Sequence, residues 1–184
     1  CSPMVRIDGK DVRTMGLHDL RKRFGTVFQN DTIFEDTIME NINMGRELSE
    51  EAVMEAVLYG RASEFVEEKG GISAQLDIKG ANLSGGQKQR ILIARALAAK
   101  PDILILDDSS SALDYKTDAA LRKELREHFA ETTCVIIAQR ISSIMNSDHI
   151  MVLEDGQMIG YGTHQELMET CEIYREIGKS QMGI

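Results

Sequence analysis

Two acids and two glycines stand where the chain could put them to chemical use. The run ILILDD (residues 103–108) ends in Asp107 and Asp108. Its aliphatic part, bounded by Pro101 and acids, suits a buried parallel strand. In open α/β sheets ligands bind beyond the carboxyl ends of the strands. A first aspartate there can hold Mg2+ through water, and a second acid can orient or deprotonate an attacking water. A pair of solvated loop acids is the competing reading, because short matches are weak evidence. Further upstream, LSGGQKQR (83–90) places Gly85 and Gly86 where a helix begins. Ser84 and Gln87 fit the N-cap and N3 positions of a capping box, and ILIARALAAK continues as helix up to Pro101. Glycine costs about 1 kcal/mol against alanine inside a helix. In the first turn, at the positive end of the helix dipole, it leaves bare N–H groups that an anion such as phosphate can approach. An ordinary cap with two tolerated glycines is the alternative.

These groups need elements to hold them. MVRI near the start reads as a strand, with a turn at Asp8-Gly9. GTVFQ (25–29) reads as a short strand ending at Gln29, and TIFEDTIMENINMG (32–45) is mixed. From Ser49, SEEAVMEAVLYGRASEFVEE reads as one or two helices with acids in the first turn, broken by GGIS at 70–73. DAALRKELREHF (118–129) is helical, and CVIIA (134–138) reads as a second buried strand with Cys134 as a buried thiol. HIMVLEDGQMIGYG (149–162) reads as two strands around Asp155-Gly156, a strong hairpin signal, and Thr163 with Glu166 forms another capping box. The sum is an α/β domain with a parallel sheet in its middle, a hairpin near its end and a largely helical insertion between about residues 32 and 100.

Composition narrows the class. The 184 residues suffice for one domain with a substantial core, and 42% hydrophobic with 28% charged content fits a soluble globular protein. No apolar run is long enough to cross a bilayer, and no signal peptide is visible. A net charge of -9 without a basic tract disfavours a nucleic-acid surface. Cys1, Cys134 and Cys171 lie too far apart for metal-ligand spacing and fit a reducing compartment. His18, His128, His149 and His164 show no ligand spacing either and read as surface or structural.

LSGGQKQR, ILILDD, SALD (111–114), IIAQR (136–140), LEDG and GTHQEL occur in one order at familiar spacings. The series resembles the nucleotide-binding domain of an ATP-binding-cassette (ABC) transporter, from IDGKD to the last helix. The resemblance implies an α/β, P-loop NTPase-like ABC ATPase fold with a mainly parallel sheet and a helical signature subdomain at about 32–100. Residues 101–184 would then hold the Walker B, D-loop, switch and C-terminal part of the core. It implies ATP and Mg2+ as cofactors. By the same resemblance Gln29 is the Q-loop glutamine, which touches the Mg2+ site and faces the membrane domain. Ser84, Gly85, Gly86 and Gln87 match the signature motif, which clamps the ATP held by the opposite subunit. Asp107 matches the Walker B aspartate, holding Mg2+ through water, and Asp114 closes the D-loop. TIFEDTIMENI resembles the segment after the Q-loop in exporter-type members. The implied partners are a second ABC nucleotide-binding domain and the transmembrane domain of the same transporter, with no nucleic acid. The implied location is the cytoplasmic face of a membrane.

The departures from the pattern are informative. No G-x-x-x-x-G-K-[ST] occurs. In the family the P-loop precedes the IDG segment, so it is expected upstream of Cys1. Residues 1–184 are then a partial domain without its Walker A portion, inactive alone. Asp108 stands where the family usually has a catalytic glutamate. The carboxylate is one methylene shorter, and a misplacement of about 1 Å can cost on the order of 100-fold in rate. Gln139 replaces the switch histidine; it can donate a hydrogen bond but cannot carry charge or shuttle a proton. LDIKG (76–80) replaces a Gly-Glu-Arg-Gly stretch of exporters. The residues of the chain's own hydrolytic site are altered while the signature is intact. That pattern resembles one half of a heterodimeric exporter, with a weakly hydrolytic site of its own and a signature that completes the site of a different chain. A non-catalytic ABC-fold module that dimerises without consuming ATP is the alternative. The acidic charge, TIFEDTIMENI and the lack of a coiled-coil insertion weigh against a soluble ABC ATPase of DNA maintenance or translation.

Overall fold

Asp8 and Gly9 both adopt positive φ, 49° and 76°. That backbone pair is what a tight two-residue hairpin turn requires. It folds β1 (Arg6–Ile7) antiparallel onto β2 (Lys10–Asp11). The computed structural model describes residues 5–109 and 111–182, so Met4 of the expected first strand lies outside the described residues. After α1 (Leu17–Lys22), β3 spans Phe24–Val27 and stops short of Gln29. The Asp31 carboxylate takes the Phe28 N–H at 2.8 Å, and the Asp31 N–H returns to the Phe28 carbonyl at 3.2 Å. This local turn withdraws Phe28 from the ladder.

The helical stretch comprises α2 (Ile38–Asn43), α3 (Glu50–Tyr59), α4 (Ser63–Glu68) and α5 (Gly85–Ala98). Arg61, in the left-handed region at φ 58°, breaks the chain between α3 and α4. Then follow β4 (Ile103–Asp107), α6 (Tyr115–His128) and β5 (Thr133–Ile137). The strands form a parallel sheet in the order β3-β4-β5, with Val27 opposite Leu106 and Leu106 opposite Ile136. Leu104 and Leu106 of β4 and Ile91, Ile93 and Leu97 of α5 are buried in one core, where α5 packs against β3, α2 and α3. Gly25 lets β3 lie close to α5, since a Cβ there would stand 2.8 Å from the Ala96 carbonyl oxygen.

One expectation fails at β5. Thr133, Cys134, Val135 and Ile137 are exposed, so CVIIA is not a buried strand and Cys134 is not a buried thiol. Among the described residues β5 is an edge strand, paired only with β4. Aliphatic character makes a good strand, but burial needs neighbours on its faces.

The chain divides into two compact units, the first ending at Ile137 and the second starting at Ala138. The second holds α7 (Ile141–Ile144), β6 (Ile150–Glu154), β7 (Gln157–Gly162), α8 (His164–Thr170) and α9 (Glu172–Met182). Asp155 and Gly156, at φ 46° and 76°, close the β6–β7 hairpin. Thr163 and Glu166 form the capping box of α8. Ile141, Ile150, Leu167, Cys171 and Tyr174 form this unit's own core. Tyr174 also shares a 2.8 Å hydrogen bond with His164 Nδ1. Among the described residues no helix is long and apolar enough to cross a membrane.

Candidate functional site

The start of α5 is built as its sequence suggests. Ser84 Oγ accepts the Gln87 N–H at 3.2 Å, and Gln87 Oε1 accepts the Ser84 N–H at 2.9 Å. Gln87 is therefore committed to the cap. The amides of Gly85 and Gly86, at the first two helical positions, have no acceptor within the helix. The two glycines nevertheless differ. Gly85 is exposed, and a Cβ there would meet nothing nearer than the Ala112 Cβ at 3.8 Å. Gly86 is half-buried, and its Cβ would stand 3.1 Å from the Ala112 carbonyl oxygen. Gly86 serves the close approach of the 111–114 loop, whereas Gly85 leaves room for an outside group.

That loop ends at Asp114, which caps α6. Its carboxylate accepts the Thr117 N–H and the Thr117 hydroxyl, each at 2.8 Å. These bonds hold the Asp114 carboxyl below the usual carboxylate range. The fold thus brings the signature glycines and the SALD segment together at the starts of α5 and α6.

Asp107 is the last residue of β4 and Asp108 follows it; both are half-buried. Asp108 lies in the left-handed region, at φ 48°. Its N–H donates to the Ile137 carbonyl at 2.9 Å, and its own carbonyl accepts the Ser111 hydroxyl at 3.0 Å. The end of β5 and the following loop therefore fix its backbone from both sides. Gln29 is exposed, two residues past Val27, as Asp108 is two past Leu106. Since Val27 and Leu106 pair in register, Gln29 and the two aspartates lie at the same end of adjacent parallel strands. Ligands of α/β sheets bind at that end.

Gln139 belongs to the second unit, where it is exposed and its carbonyl accepts Gln181 Nε2 at 2.7 Å. Among the described residues no three His, Cys, Asp or Glu side chains converge on a metal position. Mg2+ asks for less than that, because one or two carboxylates commonly hold it together with water and substrate phosphates. The carboxylates of Asp107 and Asp108 at a strand end fit such a role.

The family model for ABC transporters matches residues 2–111. The chain belongs to the ABC transporter family. Its fold is the ABC ATPase fold. The ABC transporter ATP-binding protein YfiB of Bacillus subtilis is 42% identical over 99% of the chain, which spans 32% of that protein. The ATP-dependent lipid A-core flippase of Francisella tularensis is 39% identical over 96% of the chain, which spans 29% of it. A bacterial Atm1-family ABC exporter solved with ATP bound superposes with a TM-score of 0.91 at 34% identity, over 97% of this chain and 32% of that one. The ABC chain described here thus spans about a third of the length of its relatives.

The sequence reading overlooked two groups, the buried Ser109 and the half-buried Arg95. Ser109 is 1% exposed, and among the described residues its hydroxyl has no hydrogen-bond partner. Arg95, on α5, is bonded to the segment that follows Gln29. An arginine inside the aliphatic run ILIARALA was the available signal for the second; nothing local marks the first.

Proposed function

We propose that this chain is the ATP-binding part of an ABC exporter, at the cytoplasmic face of the membrane, and couples ATP binding and hydrolysis to transport through a membrane domain. The observation that carries the reading is the start of α5: a closed capping box, an exposed Gly85 and two amides without a helical acceptor. Those amides and the helix dipole suit the terminal phosphate of an ATP held by a second nucleotide-binding domain. ATP, once bound with Mg2+, supplies a phosphoanhydride bond open to water. Asp107 would hold Mg2+ through water, and Gln29, on the neighbouring strand end, would line the same site.

The chain's own hydrolytic machinery is weak in this reading. Asp108 is the group that would orient or deprotonate the water, and its carboxylate is one methylene shorter than the family's glutamate. Gln139 would take the switch role and can donate a hydrogen bond, but it cannot accept and release a proton as histidine does. The 184 residues contain no Walker A lysine, so alone they do not turn over ATP. Ser84–Gln87 complete the competent site of a different partner chain.

The test is ATPase activity of the natural-length protein assembled with its partner. Ser84→Arg should remove most of the turnover, by about 10-fold or more, since it blocks amides aimed at transition-state charge. Asp108→Glu together with Gln139→His should raise turnover at the weak site. Unchanged activity in Ser84→Arg would show that α5 serves no nucleotide.

A further inference from the structure

Arg95 is charged, yet its neighbours Ala94, Ala96 and Leu97 on α5 are buried. Arg95 itself is half-buried, and withdrawing a charge from water is costly unless it is hydrogen-bonded. Oxygens of the opposite segment meet this one. Nε donates to the Asn41 carbonyl at 2.7 Å, Nη1 to the Thr32 carbonyl at 3.0 Å, and Nη2 to Asn41 Oδ1 at 3.2 Å. The guanidinium also lies over the Phe34 ring, 5.4 Å from its centroid. Asn41, 1% exposed, ties the segment to itself. Its Nδ2 donates to the Phe34 and Thr37 carbonyls at 3.0 and 2.9 Å, and its Oδ1 accepts the Phe34 N–H at 2.8 Å. Arg46 completes the clamp, donating to the Ile42 and Asn43 carbonyls at the end of α2 and to the Arg95 carbonyl at 2.8 Å. Two cations thus occupy the negative end of α2.

The clamp has two ends of interest. Thr32, which Arg95 grips, is three residues past Gln29. Arg95 itself is carried by the helix that starts at Gly85, about 15 Å away along the axis at about 1.5 Å per residue. We propose that Arg95 is a positioning residue that locks the segment after Gln29 to α5, so that Gln29 and the signature amides keep one fixed relation. The proposal rests on the reading that both serve nucleotide. Three bonds to three different oxygens fix a direction as well as a distance. Lysine, a point cation on a flexible stem, cannot reproduce that fork.

Hydrogen exchange of the natural-length protein tests the clamp without reference to nucleotide. Arg95→Met should speed exchange at the Phe34 amide and through α2 by about 10-fold or more, with β4 amides changed less than about twofold. Arg95→Lys should give an intermediate, equally confined rise. Phe34→Ala removes the ring but no hydrogen bond; it should give a smaller rise in the same segment and carries the test if Arg95→Met does not fold. Exchange that rises everywhere alike, or not at all at Phe34, overturns the proposal. In the assembled transporter Arg95→Lys should lower kcat by about 10-fold, as for a catalytic geometry off by under about 1 Å, with KM for ATP within about twofold. An unchanged kcat beside a loosened segment also overturns it. A wild type that neither binds nor hydrolyses ATP overturns the functional reading instead, and the exchange result still decides whether Arg95 holds the segment.

Discussion

Gly85→Ala and Gly86→Ala should move stability in opposite directions, although the residues are adjacent in one helical turn. Alanine in place of glycine at a compatible site stabilises by about 0.4–1 kcal/mol, chiefly by narrowing the unfolded ensemble. At Gly85 nothing opposes the gain, because the nearest heavy atom to the new Cβ lies at 3.8 Å, an ordinary contact. At Gly86 the new Cβ stands 3.1 Å from the Ala112 carbonyl oxygen, which belongs to a loop anchored by the Asp114 cap. Overpacking of this kind costs about 1–3 kcal/mol, which exceeds the gain. Gly86→Ala should therefore be destabilised by up to about 2.6 kcal/mol net. Urea unfolding followed by a probe in the first unit reads both as midpoint shifts at constant slope. The transporter's ATPase rate adds the functional half. Gly85→Ala should be more stable yet slower, because its methyl occupies the space in front of the bare amides. If Gly86→Ala proves as stable as Gly85→Ala, the loop does not press on the helix. If Gly85→Ala keeps the full rate, no ligand approaches there.

Other outcomes follow from single side chains. Ser109→Ala should be neutral or stabilising by up to about 1 kcal/mol, since it deletes a buried hydroxyl that has no partner among the described residues; thermal unfolding reads it. Asp118 and Arg122 form a 3.2 Å pair on α6 with side chains only 8% and 10% exposed. Asp118→Ala removes one carboxylate facing the buried Arg122 guanidinium and should be destabilising in urea unfolding, by about 1–3 kcal/mol. The Asp114 carboxyl is held below its ordinary value of 3.8 by its bonds to Thr117. Its stabilising contribution is fully present above that value and is lost as pH falls through the lower, folded one. Asp114→Ser keeps a cap without a titrating group, so its acid-unfolding curve should be shallower below about pH 4 than that of the wild type.

Features made by residues a few positions apart were legible in the sequence. Ser84 with Gln87, Thr163 with Glu166, and Asp155-Gly156 all appear as read. Each depends on bonds or φ values set within one turn of chain. The boundary of β3 was harder, because the Asp31 side chain competes with the strand for the Phe28 amide. The exposure of Cys134 was not legible at all, since a run of aliphatic residues does not say what covers it. Within the candidate site, residue types and their order were visible, and the pairing of β3 with β4 puts Gln29 past the same sheet end as the aspartates. The different tasks of Gly85 and Gly86 were not, because Ala112 meets them only through the fold. The Arg95–Asn41 contact, likewise, joins residues separated by 54 positions.

The left-handed backbone of Asp108 bears on which residues that position accepts. Aspartate and asparagine tolerate that conformation better than other residues with a Cβ, because their short polar side chains bond locally. A glutamate there gains reach for a water but loses that tolerance, and its backbone is pinned by Ile137 and Ser111. Asp108→Glu therefore carries a loss of stability of about 1 kcal/mol, whereas Asp108→Asn does not. The conformation of one residue thus favours the shorter carboxylate at the end of β4.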